Sequence, residues 1–447
     1  MGIGAVAEPL VVITLLFGGT FFNRNTGGNT YDNLGWKGGS DIDDVEHKRS
    51  DERRSGVSTP ESEDSLLSVG AWSPSSTLAP HEEPPLRTRR IKFFGYQRLV
   101  TTPNTRVFKD RLLSRVLRKF PFLVEAWYWA LLYWVSQGPR HWTCVIVYQI
   151  GRAFTALTLN EGTVDVARRH ALQLIHLEQR LHVFIEVPVQ QYFLQMPTVI
   201  HWINRIYSFI HIPGTIFFLV VLYFVTTTRK RRALAARPAG NEAVRWNAAG
   251  PALYEARRRT MATCNLLAFV VFTLWPCMPP RLLSDPKYSG PDAGEAKSFG
   301  FVDTVHSGSG ESSVWTTNKF CNQYAAMPSL HFGYSLLIGL TVATLPMPSL
   351  RSRPWRRFAV VALGMAYPAL ILTAIVATAN HFVLDAVAGA IVCGIAWNCN
   401  GVLLNLLVVE DYFLRVLRIH KPVNWTDPEV AAVEREWKPS AALSDSV

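Results

Sequence analysis

The residues that can do chemistry in this chain gather between positions 322 and 389, where NQYAAMPSLHFGYS is followed, two apolar runs later, by ANHFVLDAVAGA. The stretch sets His331, His381 and Asp385 among side chains that otherwise suit a lipid bilayer. An ionisable group costs roughly 2.5–3.5 kcal/mol at the bilayer centre on insertion scales, so its presence there calls for a function, and catalysis is the one expected. His381 and Asp385 are four apart, and on a helix they share a face, within reach of a hydrogen bond from one imidazole nitrogen to the carboxylate. That bond selects a tautomer and leaves the other nitrogen available as nucleophile or base. Arg281, upstream in PPRLL at 279–283, adds a planar fork of donors that matches phosphate oxygens.

The elements that must carry these residues are membrane helices. About half of the 447 residues are apolar, and they cluster into runs of the length a helix needs to cross a hydrocarbon core of about 30 Å. The expectation is an all-α, polytopic transmembrane helical bundle with about six core spans and an active site at one membrane face. The net charge of +11 sits in short loops beside apolar runs, which is the positive-inside pattern and not a nucleic-acid-binding face. No nucleic-acid partner is expected; the bilayer is. Six cysteines are scattered without metal-ligand spacing, so no metal is expected, and a Cys277–Cys321 disulfide is left open.

Along the chain, residues 1–120 read as a largely disordered N-terminal tail, with a short apolar segment at 10–22 that either spans the membrane or anchors at its surface. The tail is poor in large apolar residues between about 23 and 85. Residues 87–119 turn strongly basic with interleaved aromatics and suit the anionic cytoplasmic leaflet. Residues 121–415 form the catalytic domain, and 416–447 a cytoplasmic tail. Within the domain, 122–137 reads as interfacial and 141–159 as a span. Residues 163–195 read as an amphipathic helix interrupted by Glu178, Arg180, Glu186 and two glutamines, and 197–226 as a long apolar stretch. Residues 262–278 are apolar, 282–325 form a polar loop cap, and spans are expected at about 327–347, 358–379 and 382–409.

Loop charge sets the sidedness. The loops 227–260 and 348–357 are the strongly basic ones and belong in the cytoplasm. The loop 282–325 and the junction near Asn380 then face the other side, which brings Arg281, His331, His381 and Asp385 to one membrane face. Asn424-Trp425-Thr426 spells a glycosylation sequon but falls on the cytoplasmic side.

PSLH at 328–331 and HFVLD at 381–385 resemble the second and third signature motifs of the type 2 phosphatidic acid phosphatase (PAP2) superfamily. With NQYAAMPSLH and PPRLL, the closer resemblance is to its fungal inositol phosphorylceramide synthase-like, inositolphosphotransferase branch, over about residues 140–410. The resemblance implies that His381 attacks phosphorus and carries a phosphohistidine, that Asp385 orients it, and that His331 protonates the leaving oxygen. It also implies a membrane phospholipid or sphingolipid substrate, that Arg281 holds the phosphoryl group with help from Ser329, and that no cofactor is required. His201, Arg205 and His211 are candidates for substrate binding. The Ser-Arg pair that usually precedes the third-motif histidine is replaced by Ala374 and Ile375, and the Lys-rich first motif by PPRLL, which favours headgroup transfer over hydrolysis. A lipid phosphate phosphatase and a catalytically silent lipid-binding or transport scaffold remain as alternatives. The location implied is the Golgi or another endomembrane, with the site facing the lumen.

Overall fold

The computed structural model describes residues 4–26, 86–93, 96–128, 163–207, 211–229, 250–304, 324–346 and 354–421. In chain order it contains α1 (Gly4–Phe22), β1 (Leu86–Phe93), β2 (Tyr96–Pro103), α2 (Leu112–Lys119), α3 (Thr163–Arg180), α4 (Glu186–Leu194), α5 (Pro197–Arg205), α6 (His211–Tyr223), α7 (Pro251–Leu274), α8 (Ala293–Ser298), α9 (Leu330–Thr344), α10 (Pro354–Ala377), α11 (Val383–Cys399) and α12 (Leu407–Leu417). The protein is mostly helical, as its apolar runs require. Among the described residues, three helical stretches are long and apolar enough to cross a membrane, His211–Thr228, Pro354–Ala377 and Val383–Leu417, and Leu10–Phe22 and Leu330–Thr344 are shorter apolar helices. The expected span at 141–159, the sequon, Cys321 and most of the N-terminal tail and of the loop 227–260 lie outside the described residues.

Two compact units are distinguished: Met1–Arg24 with Phe120–Arg231 and Pro238–Leu403, and Asn25–Lys119 with Arg232–Arg237 and Leu404–Val447. In the first, α9, α10 and α11 form the packed centre. A Cβ added at Gly339 would lie 2.6 Å from the Gly364 carbonyl, and one added at Gly364 would lie 2.8 Å from that of Gly339. These two glycines let α9 and α10 meet backbone to backbone, the device by which helices associate where lipid supplies no hydrophobic drive. Behind them, Met261 and Cys264 of α7 pack with Leu337 of α9 and Cys393 of α11 in one buried cluster. The end of α1 is tied to the turn that follows α6, where the Thr228 hydroxyl donates to Asn23 Oδ1 at 2.6 Å.

The segment 163–195, read from its periodicity as one amphipathic helix, is two, α3 and α4, separated by a turn in which His182 has a positive φ of 56°. The buried faces of Ala167, Ala171 and Ile175 on α3 join Cys277, Met278, Leu283, Ala379 and Phe382 in a second cluster. This cluster lies beneath the residues of chemical interest. Within the polar loop cap after α7, the six-residue helix α8 forms.

The second unit adds a single hairpin, among the described residues, to a mostly helical protein. β1 and β2 pair antiparallel with Leu86 opposite Pro103 and Phe93 opposite Tyr96. Arginines and lysines alternate irregularly with Thr88, Ile91 and Leu99, so the period of two that marks a half-buried strand is absent, and the hairpin escapes a pattern search. Its anchor is ionic: Arg89 grips the buried Asp411 of α12 with two donors, Nη2 at 2.8 Å from Oδ1, and the Thr102 hydroxyl donates to the same carboxylate at 2.9 Å.

Candidate active site

His381 is held by its flanks. α10 ends at Ala377 with Ala379 in the left-handed region, φ 49°, and the N–H groups of Ala379 and Asn380 close back on the carbonyls of Val376 and Ile375 at 3.0 and 2.9 Å. This is a Schellman ending formed on alanine, a residue that enters left-handed backbone at a cost of about 1–2 kcal/mol, offset here by complete burial of its methyl group. The turn throws Asn380 and His381 out between α10 and α11.

The His381 ring has one clear partner. Its Nδ1 lies 2.8 Å from the carbonyl oxygen of Ala326 and 3.5 Å from Oδ2 of Asp385. A carbonyl only accepts, so Nδ1 carries the proton and Nε2 presents its lone pair. Ala326 is fixed in turn, because residues 324–326 run beside Cys277 as a short parallel bridge, with Cys277 N–H donating to Tyr324 O at 2.9 Å and Ala326 N–H to Cys277 O at 3.1 Å.

Asp385 has a second contact besides its approach to His381. α11 begins at Val383, so His381 precedes the helix and the i, i+4 helical geometry does not apply. The nearer contact of the carboxylate is with the backbone: Oδ2 accepts the N–H of Phe382 at 2.9 Å, capping the helix. Two further carboxylates share this duty. Glu186 Oε1 accepts from Val383 N–H at 2.8 Å and Glu178 Oε1 from Leu384 N–H at 2.7 Å, so three orphan donors at the start of α11 each meet a carboxylate. All three acids are fully buried.

His331 sits in the first turn of α9, whose N-cap is Ser329. The Ser329 hydroxyl accepts from Phe332 N–H at 3.4 Å, and its own N–H donates to the Asp385 carbonyl at 2.9 Å, which joins the start of α9 to that of α11. The rings of His331 and His381 lie 5.7 Å apart, centre to centre. Tyr207 stacks on His331 at 4.4 Å, and His211 lies 4.8 Å from it with Nδ1 3.0 Å from the Tyr367 hydroxyl. Of the three substrate-binding candidates, His211 is thus brought to the histidine pair. His201 is half-buried with its ring edge-on to Trp202, and Arg205 is exposed at the end of α5.

Arg281 reaches the same turn. Its backbone N–H donates to Ala379 O at 2.9 Å, Nε to Asn380 Oδ1 at 2.8 Å, and Nη1 to Asp303 at 3.2 Å. Asn380 is locked by its other end, Nδ2 donating to the Thr378 hydroxyl at 2.6 Å. The guanidinium is thereby bonded to the residue next to His381. Its own loop is braced by the buried Arg168, which donates to the carbonyls of Leu283 and Leu282 at 2.6 and 3.4 Å and stacks over Tyr288. Asp303 is delivered by a strap in which Gln190 exchanges two hydrogen bonds with the backbone of Val302, at 2.8 and 3.1 Å.

Between α9, α10 and α11 opens an apolar cleft of about 370 Å³ lined by Phe332, Leu372, Val383, Val387 and Ile391. Among the described residues no cluster of three or more His, Cys, Asp or Glu could hold a metal ion. Several of the residues that build the site have sequence signals too generic to single out: Asp303 is one acid in a polar loop, Arg168 one base in an amphipathic helix. Glu178 and Glu186 did leave a mark, as charges interrupting an apolar periodicity.

No curated protein and no solved structure matches the chain. Residues 243–399, which carry Arg281, Ser329, His331, His381 and Asp385, match the family model described as the PAP2 superfamily.

Proposed function

We propose that this chain is an integral-membrane lipid phosphotransferase that moves a phosphoryl-containing headgroup, of the inositol phosphate type, from one lipid to the hydroxyl of another through a phosphohistidine. The single observation that carries the reading is the hydrogen bond from His381 Nδ1 to the Ala326 carbonyl, because it leaves Nε2 as a nucleophile on a ring whose centre lies 5.7 Å from that of a second imidazole. In the first step the Nε2 lone pair forms the N–P bond while the P–O bond to the leaving group breaks, and His331 gives its proton to the departing oxygen. In the second, an acceptor hydroxyl passes its proton to His331, its oxygen bonds phosphorus, and the N–P bond breaks. Arg281 and the Ser329 hydroxyl balance charge on the phosphoryl oxygens.

The apolar cleft, lined by Phe332 and Val383, which follow His331 and His381 closely in the chain, supports an amphiphilic substrate, since it offers hydrocarbon a place. Transfer is favoured over hydrolysis because Ala374 and Ile375, where a phosphatase would carry Ser-Arg, are fully packed into an apolar cluster and leave the phosphate fewer cations. The basic loops 227–260 and 348–357 support a lumenal orientation in an endomembrane such as the Golgi.

The test supplies the purified protein, in mixed-lipid vesicles, with headgroup-labelled phosphatidylinositol and either ceramide or diacylglycerol. Label appearing on the acceptor lipid supports transfer. Release of free phosphate from phosphatidic acid or a sphingoid phosphate, without transfer, would replace this reading by a phosphatase, and no turnover of any of these lipids would overturn both.

A further inference from the structure

Three carboxylates converge on the first turn of one helix, and they cannot all be charged. Glu178 Oε2, Glu186 Oε2 and Asp385 Oδ1 are buried and lack a hydrogen-bond partner, while the opposite oxygen of each holds a backbone N–H of residues 382–384. Among the described residues no lysine or arginine bonds to either glutamate. The nearby titratable groups are Asp385 from α11, which carries His381 at its flank, and the buried Cys277 thiol from the loop after α7. A helix N-terminus offers only about half a positive charge, too little for three buried anions. Glu178 and Glu186 interact side chain to side chain, and their two oxygens left without donors are both satisfied if one proton lies between them.

We propose that Glu178 and Glu186 share a single proton, Glu178 Oε2–H donating to Glu186 Oε2, and that this pair is a positioning element that holds the backbone of 382–384 and through it the nucleophile His381. Burial and the carboxylate opposite raise Glu178 to about 9, and burial raises Glu186, so the pair keeps its proton at neutral pH. Each glutamate then uses one oxygen on the helix and the other on its partner. Loss of the proton sets two like charges face to face beside Asp385 and loosens the turn that aims His381. The catalytic consequence rests on the phosphotransfer reading above; the structural one does not.

Glu178→Gln separates the possibilities, since its amide oxygen can still accept from Leu384 N–H and its NH₂ can still donate to Glu186, with no proton to lose. Hydrogen exchange at the amides of residues 382–384, read by mass spectrometry on the full chain in detergent, should accelerate in the wild type as pH rises towards 9, beyond the intrinsic pH effect. It should not do so in Glu178→Gln, while Glu178→Ala should exchange faster at every pH. If the protein turns over lipid, Glu178→Gln should retain most of the wild-type activity and lose the alkaline decline. Glu178→Ala should lose about tenfold in kcat with KM little changed, the scale of one charge-assisted hydrogen bond. Superimposable exchange profiles for wild type and Glu178→Gln across that pH range would overturn the shared proton, whether or not any lipid is turned over. Should Glu178→Ala fail to fold, the comparison of wild type with Glu178→Gln alone decides the matter.

Discussion

The Nδ1 of His381 is 2.8 Å from the carbonyl oxygen of Ala326, 55 residues away in sequence, and closer to it than to the carboxylate of Asp385. A neutral backbone oxygen therefore selects the tautomer of the candidate nucleophile. The Asp385 carboxylate, 3.5 Å from the same nitrogen, also caps α11.

This division of labour separates two variants that a catalytic triad would treat alike. His381→Ala should abolish turnover, and phosphate label trapped on the protein in acid-labile form should vanish with it. Asp385→Asn keeps an oxygen for the Phe382 N–H and should leave a measurable rate, whereas Asp385→Ala removes the cap and should destabilise the protein by about 1 kcal/mol or more. Equal and complete loss of activity in both Asp385 variants, with unaltered thermal unfolding, would restore the carboxylate to a direct role.

His331→Ala should lower kcat by about 10²–10⁴, the usual worth of a positioned general acid. The defect should shrink when the leaving group is made a good one, such as a nitrophenol, because that oxygen departs without a proton. Steady-state kinetics with the two donors check it, and an undiminished defect would assign His331 to binding instead.

Arg281→Lys is expected to cost about ten- to a hundredfold in kcat/KM, since an ammonium cannot satisfy Asn380, Asp303 and a phosphate at once as a forked guanidinium does. The loss should be specific to phosphorylated substrates, so binding of a dephosphorylated lipid analogue should be unaffected.

Gly389→Ala should disturb the site without touching any polar group. A Cβ there would lie 2.3 Å from the Ser329 carbonyl, so α9 and α11 must part, at an expected cost of about 1–3 kcal/mol. Thermal unfolding and activity should fall together. Gly394→Ala on the same helix, where nothing lies within 4 Å of an added Cβ, should be silent.

Stability should also depend on pH with a definite sign. Glu178, at about 9 in the folded state, stands above its ordinary value of 4.5, so the folded protein holds a proton that the unfolded chain releases. Its contribution is complete below about pH 4.5 and is lost as pH rises towards about 9. The thermal midpoint of Glu178→Gln, which has nothing to titrate there, should therefore gain on the wild type between about pH 5 and about pH 9. Parallel midpoints over that range would count against the raised carboxyl.

The second unit offers an independent check on the fold. Removing the carboxylate in Asp411→Ala leaves Arg89 and Thr102 without their buried acceptor, at a cost of about 3 kcal/mol. The hairpin of residues 86–103 should then become open to limited proteolysis, with residues 324–399 unaffected.

By itself the sequence determined that this is a helical protein with apolar runs fit for a membrane, and it singled out Arg281, His331, His381 and Asp385, with Ser329 added by the family resemblance. It could do so because an ionisable side chain inside an apolar run is costly enough to stand out from its neighbours. Tertiary structure alone decided how these residues are held. The Ala326 carbonyl that sets the His381 tautomer belongs to a backbone every residue shares, and no pattern distinguishes it. Glu178 and Glu186 read as the polar stripe of an amphipathic helix because periodicity reports which face is polar, not whether that face meets water or another helix's unpaired amides. His211 meets His331 only because α6 and α9 pack side by side, a contact across 120 residues that spacing along the chain does not encode.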